Sequence, residues 1–306
     1  MKSGNKRYIG IFSLIFVNLI WAGSFPATAI VVQKMPSVLL TLLRLGTASI
    51  ILAPFLRLPK GSRWDIRTIF LSVLLGIVGF AMPLYLETEG LRLSTPAMAA
   101  ISIALEPLFT VIIATVMLRE WLPKRRGFAF LLALFGAWAI AGFPRPGAPG
   151  YIVGDLLLLL AVLCYGVYNA YSKRLIDRVS ASAAASVTLL TGFIATIPIW
   201  FLTGAHIPHE FNRADWIALL YLALFATTGA YLIWLFALKS LPASVAALFL
   251  YLQPIFGVIL SILIVGTRPP AYFYLGSVLI LLAIFLGRQS KADTRAENSV
   301  QLASGK

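Results

Sequence analysis

Ten apolar segments joined by short connections constrain this chain more than any other feature. They run over roughly 9–32, 38–56, 69–86, 97–118, 128–143, 152–171, 183–202, 216–238, 243–265 and 271–286. Most reach the ~20 residues that a helix needs to cross a hydrocarbon core of about 30 Å. In that solvent each segment has to satisfy its own backbone hydrogen bonds, which makes every run a helix. The chain has 306 residues, 60% of them hydrophobic and only 12% charged. A soluble fold of that size cannot cover so much apolar surface, so the bilayer has to serve as solvent. The expectation is an all-α polytopic membrane protein with ten transmembrane helices. The polar stretch 288–306 is expected to be a disordered cytoplasmic tail.

The net charge of +14 invites a nucleic-acid partner, but its distribution argues against one. With the N-terminus cytoplasmic, the inward segments hold 19 Lys and Arg. The outward loops hold 5: Lys34, Arg92, Arg145, Arg213 and Arg268. This asymmetry follows the positive-inside rule and puts both termini in the cytoplasm. Cys164 is the single cysteine, so no intramolecular disulfide is expected.

Ten spans divide into five and five, and the halves can be slid over one another. A shift of 147 positions lays "LSTPAMAAISIALEPLFTVI" (93–112) on "SLPASVAALFLYLQPIFGVI" (240–259). Seven of the twenty positions are identical, Pro107 meets Pro254, and Glu106 meets Gln253. A unit of five spans ends on the side opposite its start, so a second copy lies inverted, an arrangement typical of transporters. The expected units are 1–147 and 148–287, two inverted five-helix repeats. The repeat also decides how the N-terminus is read. Its basic start, apolar run and Ala27-Thr28-Ala29 resemble a cleaved signal. A shift of 144, however, aligns Gly10 with Gly154, Trp21 with Tyr165 and Ala22 with Gly166. A segment with a counterpart deep in the chain reads as a retained first span.

Within the spans, Glu106 is the sharpest signal. A carboxylate there is costly and usually faces a cavity or a partner. Pro107 removes a backbone hydrogen bond and loosens the helix beside it. Gln253 and Pro254 repeat the pattern, and two broken helices at matched positions near the midplane point to a substrate pathway. The plainer reading is a neutral packing residue beside two kinks. Arg44 is the one basic residue inside a span. Its depth differs from that of Glu106 by roughly 5 Å at the rise of an α-helix, so the two form a candidate charge pair. Substrate contact is the alternative. Trp21, Tyr85, Tyr165, Tyr168, Asn169 and Trp234 collect in the loosened spans and are candidates for the pathway wall. Ser24 is a further candidate, with close helix packing as its alternative. Spans five and ten are the shortest and almost without polar side chains. They are placed at the periphery, as a candidate dimer face. "HIPHE" (206–210) is read as a solvated loop, and no metal site or cofactor is expected.

The chain resembles the drug/metabolite transporter superfamily in its EamA-type ten-helix form. The resemblance rests on "NLIWAGSFPA", on Arg44, on "GLRLSTPAMAAISIALEPLFTVIIATVMLREWL" and on "ALKSLPASVAALFLYLQPIFGVILSILI". The chain departs from the pattern at "VGTRPP", which lacks a counterpart of Glu120. Its aromatic and polar spans are most similar to YddG-like amino acid exporters. The resemblance implies a multi-pass protein of the bacterial inner membrane, exporting small organic solutes by alternating access. Amino acids, including aromatic ones, and related metabolites are the expected cargo. A proton is the candidate coupling ion, and the assembly is a monomer or a homodimer. No G-x-x-x-x-G-K-[ST] loop is present, so a gradient is the expected driving force. A multidrug or nucleotide-sugar-type porter is the rival on the same fold, although the sparse basic character of the central spans disfavours anionic phosphates. A polytopic membrane enzyme is the rival of another class, but both histidines lie in one loop and no aspartates cluster.

Overall fold

A computed structural model describes residues 3–56, 64–94, 102–117, 119, 122–143, 151–206, 210–265 and 268–288. The tail 289–306, Glu120 and residues 207–209 of the "HIPHE" loop lie outside the described residues. The described chain is helical, with turns between helices and no strand. The first half contains α1 (Ser3–Val31), α2 (Ser37–Leu52), α3 (Ile66–Gly76), α4 (Met82–Leu93), α5 (Glu106–Met117) and α6 (Lys124–Ile140). The second half contains α7 (Ile152–Ile176), α8 (Ala181–Thr203), α9 (Arg213–Leu220), α10 (Ala230–Leu238), α11 (Ala243–Leu250), α12 (Leu252–Val265) and α13 (Ala271–Gly287). Seven continuous helical stretches are long and apolar enough to cross a membrane, and two shorter apolar ones, Ser102–Met117 and Ala271–Gly287, accompany them.

Local chemistry sets the helix starts. Pro36, Pro123, Pro242 and Pro270 sit at N-cap positions, where fixed φ and a missing N–H suit the entry to a helix. Asp65 caps α3 by accepting from the Thr68 amide at 2.8 Å. Asn212 and Asp215 form a reciprocal capping box at the start of α9, which satisfies two amides that have no intrahelical partner. At the other end of α8, Gly204 closes the helix at φ 60°, a conformation that glycine adopts without a Cβ penalty.

The surface is inverted relative to a soluble protein. Phe12, Phe70, Phe201 and Leu202 are exposed, whereas Asn18, Thr41, Arg44, Asn169 and Gln253 are buried. An apolar exterior, with these polar groups held inside a mostly apolar core, is what a lipid solvent selects.

The halves pack on each other far more than each packs on itself. α1 lies against α10 and α12, and its counterpart α7 lies against α4 and α5. α2 pairs with α8, α5 with α11, and α6 with α13. Exchanging the halves carries the α2–α8 and α6–α13 pairs onto themselves and the contacts of α1 onto those of α7. The α6–α13 pair is the expected peripheral one. Its axes approach closely because glycines face each other, and a Cβ on Gly136 would stand 2.7 Å from the Gly276 carbonyl oxygen. Two π-helical segments, Ile77–Ala81 and Tyr221–Gly229, interrupt the α3–α4 and α9–α10 spans. The 147-position shift carries the first into the second. Inserted π turns recur at functional sites, and both of these lie against the middle of the bundle.

Candidate functional site

The site is built around two interrupted helices. Residues 102–104 are helical, Leu105 turns, and α5 begins at Glu106. In the second half α11 ends at Leu250, Tyr251 turns, and α12 begins at Leu252. Pro107 and Pro254 cannot donate to the carbonyls four residues back, so the ladder fails at both places. Tighter i to i−3 bonds take over, Leu105 N–H to Ser102 O at 3.0 Å and Tyr251 N–H to Leu248 O at 3.4 Å.

Next to each break a side chain reaches across to the first helix of the other half. Asn169 Nδ2 on α7 donates to Glu106 Oε1 at 2.7 Å. Gln253 Nε2 donates to Asn18 Oδ1 on α1 at 3.1 Å. Asn18 also donates to the Leu14 carbonyl at 2.7 Å, which fixes its amide. Each interrupted helix is thus tied to the first helix of the other half, by an acid and an amide in one copy and by two amides in the other, although the 144-position shift does not superpose Asn18 on Asn169.

The flanking spans add two further polar groups. Tyr165 OH donates to Glu87 Oε2 at 2.7 Å. Arg44 Nε donates to Thr227 Oγ1 in the second π segment at 2.9 Å. Trp21 Nε1 donates to the Ala226 carbonyl of that segment at 3.1 Å, and Ser24 Oγ donates to the Trp21 carbonyl at 2.7 Å.

These groups border one cavity of about 40 Å³, room for about three waters. Arg44, Glu87 and Glu106 supply its charges. Ser24, Tyr165, Asn169, Tyr231 and Gln253 supply neutral polar atoms, and Trp21, Phe25, Leu84 and Ile103 complete the wall.

Most of the residues picked from sequence meet here: Trp21, Ser24, Arg44, Glu106, Tyr165, Asn169 and Gln253 all line the cavity. Three others are placed elsewhere. Tyr168 is fully buried, with its ring 4.8 Å from Phe80 and 5.9 Å from Tyr231. Its edge sits where a Cβ on Gly79 would be. Trp234 is fully buried and packs behind Trp21 at 5.6 Å. Both support the wall without forming it. Tyr85 is half-buried and outside the lining. The candidate charge pair is also rearranged. Arg44 and Glu106 share the cavity, but Arg44 bonds Thr227 and Glu106 bonds Asn169. Equal depth along two helices does not fix the direction in which each side chain points, and the π segment presents a hydroxyl to Arg44.

Sequence reasoning passes over Glu87 and Asn18, whereas Tyr231 is one of the aromatics it gathers in the loosened spans. Glu87 lies just past the apolar run that ends at 86, where "ETEG" reads as a connection. The helix nevertheless continues to Leu93. A carboxylate within one turn of an apolar run was the available signal. Asn18 had a similar one, being an amide inside the run of span one.

The model of the EamA-like transporter family matches residues 8–142 and again 152–287. Among curated proteins, the chain is 25% identical to an uncharacterized transporter of Bacillus subtilis, YetK, over 92% of this chain and 87% of that one. It is 27% identical to a probable terminal-alkyne amino-acid exporter of Streptantibioticus cattleyicolor, over 93% of this chain and 97% of that one. A solved crystal structure superposes with a TM-score of 0.74 at 20% identity, covering 92% of this chain and 96% of its own. That likeness is one of fold.

Proposed function

The chain belongs to the EamA-like transporter family, a multi-pass membrane protein, and on that premise we propose that it exports small zwitterionic solutes, amino acids first among them, by alternating access. The observation that carries the reading is the charge set of the cavity. Arg44 offers a guanidinium to a carboxylate, and Glu87 and Glu106 offer carboxylates to an ammonium. Trp21, Phe25 and Tyr231 add faces for an apolar or ring-bearing side chain. One relative named as an amino-acid exporter supports the same cargo. The mechanism is rocking of two inverted five-helix units, 1–147 and 148–287, in ten crossings with both termini cytoplasmic. Two separate family matches, the exchangeable packing pattern and the paired π segments support that division. A gradient drives transport, with a proton as coupling ion.

One feature favours a second cargo class. Two carboxylates face a single guanidinium, which suits an aromatic cation of the multidrug type. The same experiment separates them. Purified protein in liposomes is loaded with a panel of labelled amino acids and aromatic cations, with and without a pH gradient. Protein-dependent efflux of amino acids is the expected result. Efflux confined to cations transfers the reading to a multidrug porter, and flux of neither defeats it.

A further inference from the structure

The two shifts that relate the halves also relate two ion pairs at opposite ends of the bundle. Lys34 follows α1, and the 144-position shift carries it onto Arg178, which follows α7. Lys34 Nζ contacts Asp215 Oδ2 at 2.7 Å. Arg178 Nη1 donates to Thr68 Oγ1 at 3.1 Å and stands 3.5 Å from Asp65 Oδ1. The 147-position shift carries Asp65 onto Asn212 and Thr68 onto Asp215. In both copies the cation after the first helix of one half therefore grips the capping turn of a helix in the other half. The N-cap side chain accepts from the amide three residues on, Asp65 from Thr68 at 2.8 Å and Asn212 from Asp215 at 3.0 Å. The side chain at that third position is buried, Thr68 in one and Asp215 in the other. Only the carboxylate has moved, from the cap in one copy to the third position in the other.

The gripped helices are the ones that lead into the cavity. α3 runs into the π segment Ile77–Ala81 and on to Leu84 and Glu87. α9 runs into Tyr221–Gly229, which holds Arg44 through Thr227, and on to Tyr231. Neighbouring charges are otherwise engaged. Glu89 accepts from Ser37 at 2.8 Å and pairs with Arg92, which leaves Asp215 to Lys34. Because the units are inverted, the two grips sit on opposite membrane faces.

We propose that Lys34–Asp215 and Arg178–Asp65/Thr68 are the two latches of the transport cycle, each closing one face by clamping the π-bearing helix that borders the cavity. This rests on alternating access and names the positioning residues that control it. The latches are unequal in this structure. Asp215 is almost wholly buried under Lys34, whereas Asp65 is exposed. Screening by water weakens exposed pairs, so the Lys34 face is held the more firmly.

The test reads accessibility and needs no substrate. A Ser24→Cys reporter on the cavity wall is made in a Cys164→Ala background, and a membrane-impermeant thiol reagent is applied to right-side-out and to inverted vesicles. Lys34→Gln is expected to raise labelling from the face that carries Lys34. Arg178→Gln is expected to raise it from the opposite face. Each change is roughly two- to five-fold, the range for an ion pair near solvent. Lys34→Arg, which keeps the cation and leaves the Asn212–Asp215 capping box intact, should keep labelling at the parent level, which separates a latch from damage to the fold. Equal labelling of parent and the two Gln variants, increases on one shared face, or raised labelling of Lys34→Arg would each overturn the proposal. Opposite-sided labelling in a protein that moves no solute would keep the latches and defeat the transport reading instead.

Discussion

The two interrupted helices are each tied to the first helix of the other half, with different chemistry. At the first break Asn169 donates to the carboxylate Glu106; at the second, Gln253 donates to the amide Asn18. The difference extends through the site. The 147-position shift carries Glu87 onto Trp234, and the 144-position shift carries Arg44 onto Thr188. Every charged residue of the cavity thus belongs to the first half, and the second half answers with an amide, an indole and a hydroxyl. A symmetric scaffold can rock between two equivalent shapes, but a symmetric charge set would leave the cargo without an orientation. Concentrating the charge in one half gives a polar solute a fixed end. It also limits the desolvation of ions that a bundle interior makes costly.

The largest expected effect comes from making the first break like the second. Glu106→Gln keeps an acceptor for Asn169 and removes the charge. Since Arg44 is held by Thr227, its loss of a nearby carboxylate leaves it bonded. Solute flux in liposomes should fall by about tenfold or more, the scale of a lost charge-assisted contact of ~1.5–3 kcal/mol, while the yield of monodisperse protein stays near that of the parent. Collapse of that yield, with recovery on adding Arg44→Met, would restore a direct Arg44–Glu106 dependence.

Removing the two supporting amides sharpens the comparison further. Asn18→Leu leaves a buried amide of Gln253 without its acceptor, a cost of about 1–3 kcal/mol. Asn169→Leu strips a donor from a carboxylate, and the cost is larger because a charged group is left behind. Thermal unfolding in detergent should therefore rank Asn169→Leu below Asn18→Leu. The reverse order would mean that Glu106 does not depend on Asn169 in the folded protein.

A smaller change is expected at Tyr165. Tyr165→Phe deletes the hydroxyl that donates to Glu87 and keeps the ring in the wall. A hydrogen bond to a charged group is worth about 1.5–3 kcal/mol, but Glu87 borders the cavity, where water replaces the lost donor, so flux should drop several-fold at most. A loss as large as that of Glu106→Gln would make the Tyr165 hydroxyl itself part of cargo binding.

How far the sequence reaches is clear from the same residues. Pro107, Pro254, Glu106 and Gln253 stand out because an apolar run exposes any interruption, and the repeat then pairs them. The family resemblance came from these motifs too, and the family model matches both halves. The direction of a side chain around its helix is a different kind of information. Asn18 and Asn169 each need a partner more than sixty positions away, and nothing local identifies it. Glu87 was hidden because hydropathy marks where lipid ends, whereas the helix runs on to Leu93. For Arg44, depth is legible from a count of residues and makes Glu106 a candidate partner, but the hydroxyl that the π segment offers through Thr227 is not.

Tyr85 gives the last and smallest prediction. In an uninterrupted helix successive side chains turn by about 100°, and an aromatic in a polar part of span three looks like a wall residue. The π segment Ile77–Ala81 lies between that span's start and Tyr85. An extra residue in one turn resets the phase of everything after it. The reset brings Leu84 and Glu87, three apart and hence on one face, to the cavity, and leaves Tyr85 beside them but outside the lining. Tyr85→Ala should accordingly keep flux within about twofold of the parent, the range of substitutions that remove no buried partner. Flux measured beside Glu106→Gln in the same liposomes checks this. A fall on the scale of the charge-removing variant would mean that the phase shift does not hold when the cavity opens, and that Tyr85 turns into the pathway during the cycle.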